Sequence, residues 1–391
     1  MADNPEAGYN LATNAGVPPT LKELAGFFLR LGTTAFGGPA AHIAMMEDQL
    51  VTRRQWITRE EFLDRLAAAN LIPGPSSTEV AIYIGYRLAG VRGLIAAGVC
   101  FILPAVLMVM AIAWAYTTYG KLPAVAGILY GVTPVLIPIL IQAAWRLGKS
   151  ALKTKALIFI ALAALLFSIG GLDPAIVLLG SGLLSLGMTR IQKPGNSTNC
   201  FGFCIPAVPL LAGMTIPDSG ILASIFGVFL KAGCLVFGSG YVLLNFLRAD
   251  IVVNRHWLTE PQLLVAVAVG QVTPGPVFTT ATFIGYLAGG PVGAIVATVG
   301  IFLPAFVLVA LTGPLVGRMR RSPTGSSFLD GVSVAAIALI VVITAQLGQA
   351  ALIDIATGAI ALISGVLLFS LRVNSSWLVL AGGVVGVLVR R

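Results

Sequence analysis

The chain has 391 residues, of which only 10% are charged and 57% are hydrophobic, and its mean hydropathy is +0.95. A soluble domain carries about 25% charged residues, so a water-soluble globule is excluded and an all-α polytopic integral membrane protein is expected. The formal charge of +9 is spread over short loops with no basic cluster beside interleaved aromatics; nucleic acid is not an expected partner, and the excess matches that of cytoplasmic loops.

In chain order, Met1 to Thr20 are polar and lack the basic start and apolar core of a signal peptide; they read as a disordered tail. The first apolar stretch carries Arg30 within Phe27-Phe28-Leu29-Arg30-Leu31-Gly32 and runs into the turn Phe36-Gly37-Gly38-Pro39. A polar loop with Arg53, Arg54, Trp56, Arg59, Glu60, Glu61 and Asp64 follows, then Pro73-Gly74-Pro75 and Ser76-Ser77-Thr78-Glu79. The stretches from Leu94 to Gly120 and from Leu122 to Trp145 hold no charge, and each is long enough to cross a bilayer at about 20 residues per helix. A segment rich in Pro, Gly and Asn at its start, 190–218, reads as a linker; its Cys200 and Cys204 have no His or acid nearby, so no metal site or cofactor is assigned. Beyond it no charge occurs from Pro261 to Gly317, from Gly331 to Ile353 or from Ile355 to Leu371. The expectation is about ten to twelve transmembrane or re-entrant segments, some broken, arranged as a tail (1–20), a first repeat (21–189), the linker and a second repeat (219–391).

The repeat is explicit. At an offset of 201, residues 28–75 align with 229–276 without a gap, pairing Gly32/Gly233, Phe36/Phe237, Gly37/Gly238, Arg54/Arg255, Trp56/Trp257 and Pro73-Gly74-Pro75/Pro274-Gly275-Pro276. At an offset of 200, Gly85-Tyr86 matches Gly285-Tyr286 and Leu103-Pro104-Ala105 matches Leu303-Pro304-Ala305. Basic residues alternate between the copies. Arg87 and Arg92 face Leu287 and Val292; Lys121 alone faces Arg318, Arg320 and Arg321; Arg146, Lys149, Lys153 and Lys155 face a loop from Ala345 to Asp354 with no basic residue. By the positive-inside rule the two repeats are inverted, which places a substrate site near the midplane between them. Arg390 and Arg391 do not fit the alternation.

Proline at Pro73-Gly74-Pro75 and Pro274-Gly275-Pro276 breaks the helix, and the new helix start presents free N–H groups at a positive dipole end. Hydroxyls follow both breaks, Ser76, Ser77 and Thr78 in one copy and Thr279 and Thr280 in the other, so both are candidate anion sites. A kink whose hydroxyls bond back to the helix is the structural alternative. Arg30 and its mate Lys231 are intramembrane cations, costly unless paired or used, and are expected to converge on a dianion; snorkelling is the alternative. Gly37 and Gly38 allow close backbone approach to a ligand or a helix. Phe36, Phe237, His42 and the pairs Arg54/Trp56 and Arg255/Trp257 are candidates for the mouth or gate, the last two pairs reading equally as loop anchors. Glu79, aligned with Thr280, is a candidate proton carrier or a counter-charge to Arg30 or Arg87.

The FGGP turn, RxW loop, PGP break and FILPA helix, repeated as FGSG, RHW, PGP and IFLPA, resemble the chromate ion transporter family over nearly the whole chain from Leu21 onward. The resemblance implies a secondary transporter exporting chromate, with sulfate as its structural analogue, from the bacterial cytoplasm across the inner membrane, giving chromate resistance. It carries function to Arg30, Phe36, Gly37, Gly38, His42, Arg54, Trp56 and Pro73-Gly74-Pro75, whereas Ser239 and Gly240 depart from the first copy's Gly-Pro. Alternatives are a sulfate or other oxyanion uptake or exchange system, or an anion channel. An intramembrane enzyme is disfavoured, since no H-E-x-x-H or C-x-x-C is present. The lipid bilayer and a small oxyanion are the expected partners; a homodimer is allowed but not required.

Overall fold

A computed structural model describes residues 19–36, 38–120, 122–192, 220–236, 241–315, 323–371 and 373–390. Cys200, Cys204 and most of the linker lie outside the described residues, as do Gly37, Phe237, Gly238, Ser239 and Gly240. Among the described residues the regular structure is entirely helical. The first repeat contains α1 (Leu21–Thr34), α2 (Gly38–Glu47, continued by a π-turn Asp48–Arg53), α3 (Arg59–Ala69), α4 (Ser76–Tyr119), α5 (Pro123–Ala151), α6 (Lys155–Ile169) and α7 (Pro174–Gln192). The second repeats the series as α8 (Ile221–Leu235), α9 (Leu243–Leu247, continued by a π-turn Arg248–Asn254), α10 (Glu260–Val272), α11 (Thr280–Thr312), α12 (Pro323–Ala351), α13 (Ile355–Ser370) and α14 (Ser375–Val389). Capping boxes start several of them: Thr20 with Glu23, Thr58 with Glu61, Thr259 with Gln262 and Asp354 with Thr357. Each satisfies backbone donors the helix cannot.

Among the described residues, only α4, α5, α11 and α12 are both long and apolar enough to cross a membrane, and α4 and α11 are not single rods. Backbone angles leave the helical region at Ala89 and at Gly90 (φ 58°, ψ −147°), and again at Gly289 and at Gly290 (φ 65°, ψ −160°). That second conformation is essentially restricted to glycine. It folds each helix into a hairpin, so that the backbones of Gly85 and Gly93 touch in the first copy and those of Gly285 and Gly293 in the second. A Thr282–Thr298 hydroxyl contact of 2.8 Å ties the two limbs of α11. Gly90→Ala is expected to cost about 1–3 kcal/mol, read as a lower midpoint of thermal unfolding in detergent, with Gly290→Ala behaving alike.

The short first limb of α4 also runs antiparallel to α3. Arg87, at its end, pairs with Glu61, in the first turn of α3, at 2.9 Å. The segments around Pro73-Gly74-Pro75 therefore re-enter: α3 climbs from one surface, turns at the tripeptide and returns to the same surface. α1 runs parallel to the long limb of α4, with Gly32 against Phe101, and α2 turns back to the base, where Glu47 meets Arg59 at 3.5 Å. The second repeat has the same pair with the signs exchanged, Arg248 with Glu260 at 2.7 Å.

The inversion is visible in how the long limbs cross. Tyr83 and Tyr86, beside the start of the long limb of α4, contact Thr312 and Gly313 at the end of α11, while Gly98 meets Phe306 midway and Tyr116 meets Phe283 at the far end. Equivalent helices are thus antiparallel, and the pseudo-twofold axis lies in the membrane plane. The peripheral helices are exchanged between repeats: α5 packs against α13 and α14, and α12 against α6 and α7. Gly127 and Gly131 of α5 lie against the backbone at Gly382 and Gly386 of α14, a small-xxx-small contact on both helices. Ile137 and Ile337, Ile141 and Val341, and Gly148 and Gly348 line one apolar groove of about 1020 Å³, marking where the axis emerges between α5 and α12. Arg390, unexplained by loop charge alone, lies over the Tyr130 ring at 5.5 Å, and the Tyr130 hydroxyl donates to Asp354 at 2.6 Å.

Candidate functional site

The two re-entrant tips cross between the repeats. The N–H of Gly74 donates to the carbonyl of Val236, the residue after α8, at 2.7 Å; the N–H of Gly275 donates to Ala35, the residue after α1, at 3.2 Å. Ala35 and Val236 are repeat mates at the same offset as Gly74 and Gly275, so the exchange is symmetric. Gly275 also sits against Ala105 and Gly74 against Ala305, near the middle of the long limbs. Both tips therefore lie near the middle of the long limbs, and each repeat completes the tip of the other.

The polar chemistry around the tips is not symmetric. Ser76, Ser77, Thr78 and Glu79 are all buried at the first tip. Thr78 and Glu79 direct their N–H groups to the Pro75 carbonyl, so that of Ser77 has no intrahelical acceptor. The Thr78 hydroxyl and both Glu79 carboxylate oxygens have no hydrogen-bond partner among the described residues. His42, fully buried against Phe101, places Nε2 3.1 Å from the Ala35 carbonyl and Nδ1 3.2 Å from the Ser77 hydroxyl. A carbonyl only accepts, so Nε2 carries the proton and neutral His42 accepts from Ser77. Ala35 thus receives both His42 and the Gly275 tip. At the second tip, a 3₁₀ turn Val277–Thr279 follows Pro276, and the hydroxyls of Thr279 and Thr280 turn back onto Pro276 and Val277, each at 2.8 Å. The bonded-back kink is the arrangement found there, and the tip with available donors is the first.

The two cations differ as well. Lys231 is held by Asp250 at 3.4 Å and Asp173 at 3.6 Å, and its side chain is 12% exposed. Arg30 is exposed and has no ion pair among the described residues, beside exposed Thr33 and Thr34 on the same helix. Each lies five residues before the carbonyl that receives the opposite tip, about 7.5 Å along the helix at 1.5 Å per residue. Inversion puts them on opposite sides of the midplane, so convergence of both on one ligand is not the arrangement in this state. Surroundings follow the same asymmetry. Leu243 to Leu247 of α9 are all buried, with α7 and α12 packed on them, and α10 packs on α5, α12 and α14. In α2 only His42 and Met46 are buried, and α2 and α3 have no comparable packing on the peripheral helices.

The remaining candidates lie away from the tips. Phe36 is exposed and Gly38 begins α2 with φ at 76°. Arg54 stacks over Trp56 at 4.8 Å and Phe27 at 5.5 Å, and Arg255 over Trp257 at 5.2 Å. Between them Gln55 and His256 share a positive φ of 52°, and the backbone N–H groups of Trp56 and Trp257 donate to the carbonyls of Leu50 and Ile251. These loops anchor the hairpin bases. The carboxylate partners of Lys231 were not read from sequence; Asp250 two residues after Arg248 and Asp173 before the Pro174 start of α7 were the available signals.

An inverted-repeat membrane protein with paired re-entrant tips at mid-depth has the architecture of a secondary transporter. A profile of the chromate transporter family matches residues 22–186 and again 223–387, and the chain belongs to that family. It is 37% identical to the chromate transport protein of Cupriavidus metallidurans over 93% of this chain and 91% of that one. It is 36% identical to a probable chromate transport protein of Synechococcus elongatus, covering 88% and 90%. With the chromate transport protein of Pseudomonas aeruginosa it shares 33% identity over 86% and 84%. No solved structure matches it.

Proposed function

We propose that this protein exports chromate from the bacterial cytoplasm across the inner membrane by alternating access, and thereby confers chromate resistance. The observation that carries this reading is the crossed pair of tips near the middle of the long limbs, one with unpaired donors and one with its hydroxyls bonded back. A tetrahedral dianion wants N–H and hydroxyl donors and a fixed cation, and relatives bearing the name chromate transport protein supply the ligand class. The base of the first repeat gathers Arg53, Arg54, Arg59, Arg65, Arg87 and Arg92, which supports a cytoplasmic base by the positive-inside rule. Arg30, Thr33 and Thr34 are exposed on α1, the helix that rises from that base. Expelling a dianion at about 100 mV, inside negative, gains ~4.6 kcal/mol, enough for a gradient above roughly a thousandfold.

Sealed everted vesicles containing the protein are expected to accumulate labelled chromate, with inhibition by sulfate; vesicles without such flux would overturn the reading. Alternation is checked separately. In this state the Ser376 hydroxyl donates to the Gln271 carbonyl at 3.0 Å. The repeat mates are Ala175 and Asn70. Cysteines at positions 70 and 175 are expected to be joined by a short cross-linker during turnover, stopping flux; a channel without alternation would leave them unjoined.

A further inference from the structure

We propose that Glu79 is protonated whenever the oxyanion is bound, so that the transported unit is one dianion together with one proton. The inference rests on the reading of the first tip as the oxyanion site and adds the co-transported ion to it.

Glu79 is 0% exposed, and neither carboxylate oxygen has a hydrogen-bond partner among the described residues. Its Oε1 lies against Gly74, where a Cβ on that glycine would stand, and the next residue back, Thr78, presents a fully buried hydroxyl without a partner. The carboxyl is therefore part of the wall of the tip whose N–H reaches Val236.

No countercharge among the described residues pairs with it: Lys231 of α8, five residues before Val236, is held by Asp250 and Asp173. On α2 the buried titratable group is His42, with one ring nitrogen at Ser77 and the other at Ala35. On α1, Arg30 is exposed, and Lys22 and Glu23 sit at its start. The charges of α3, Arg59, Glu60, Glu61, Asp64 and Arg65, lie at the hairpin base with Arg87. Tyr83, one turn along α4, bonds Thr312. The turn Val277–Thr279 and α11 carry no titratable side chain before Tyr286, and α10 has only Glu260, at its start and paired with Arg248.

An ionised Glu79 would confront an arriving dianion with a like charge in an enclosed site, which raises the proton affinity of the carboxyl. Once protonated it offers an O–H donor instead. Linkage is reciprocal: if the dianion favours the protonated form, the proton favours the bound dianion by the same factor. The cycle balances simply. One proton joins Glu79 from the loading side as the dianion binds, both leave to the opposite side, and one net negative charge crosses, so the electrical gain is about half that of the bare dianion. The equivalent position in the second repeat is Thr280, whose hydroxyl is bonded to Val277, so the count is one proton and not two.

The test uses purified full-length protein in weak buffer with a pH-indicating dye, in the alkaline range where chromate is a dianion. Where the empty carboxyl is ionised, wild type is expected to take up about one proton per chromate bound, and its apparent affinity to fall by up to about tenfold for each unit by which the pH rises. Glu79→Gln is expected to show no proton uptake and an affinity flat with pH. Chromate binding to wild type without proton uptake would overturn the inference while leaving the oxyanion site standing, as would a Glu79→Gln slope equal to that of wild type. Should Glu79→Gln fail to insert, the wild-type proton count decides alone. Absence of chromate binding to folded wild type would overturn the site reading itself, and this inference with it.

Discussion

Arg30→Ala is expected to weaken chromate binding by about 3 kcal/mol, roughly a hundredfold or more, while the protein still folds. The exposed guanidinium has no ion pair among the described residues to lose, so its removal leaves no stranded carboxylate. Arg30→Lys is expected to fall between, since it keeps the charge and loses the planar fork that grips two oxygens at once. Titration of purified protein with chromate separates the three. Equal affinity in all of them would remove Arg30 from the site. Lys231→Ala should behave differently, because it strands Asp173 and Asp250: its signature is loss of the seated state of α8, not a direct loss of affinity.

Gly131→Leu is expected to prevent assembly of a stable fold. The backbone at Gly382 and Gly386 occupies the space a side chain on residue 131 would need. Overpacking a core by a few methylenes costs about 1–3 kcal/mol when neighbouring side chains can shift. Here the obstacle is main chain of α14, so the helices must separate, and with them the close van der Waals contact that holds helices together in lipid. Size-exclusion profiles in mild detergent are expected to shift from a single symmetric peak to aggregate, whereas Gly180→Leu, with open space around it, should keep the peak. A normal profile for Gly131→Leu would mean that α5 and α14 do not pack as described.

Much of this architecture is legible in the sequence. Tryptophan, arginine and Pro-Gly-Pro recurring in one register gave the duplication, and alternating loop charge gave the inversion that Tyr83 against Thr312 and Tyr116 against Phe283 display. Whether the Pro-Gly-Pro segments cross or return was not legible, because a break in a helix has the same composition either way. The Arg87–Glu61 pair, formed by residues 26 apart, decides it. The carbonyls of Ala35 and Val236 were invisible for a more basic reason: every residue has a carbonyl, and only the tertiary path says which one receives a tip. Hydroxyls were equally ambiguous. Thr78 and Thr280 are alike as letters, yet only the second has a local carbonyl in range. Small residues four apart at 127, 131, 382 and 386 were a readable signal for the α5–α14 contact.

The exchange of peripheral helices bears on how such a chain is made. Synthesis runs from the first repeat to the second, yet the glycine face of α5 finds its neighbour only when α14 emerges, and α6 and α7 find theirs only with α12. A ribosome partway through the message therefore leaves in the bilayer a set of inserted but unclosed helices, with tips that have no carbonyl to reach. Quality control has a long window in which to act on them. A lesion in α14 should then be cleared as severely as one in the tips, although it lies far from any ion.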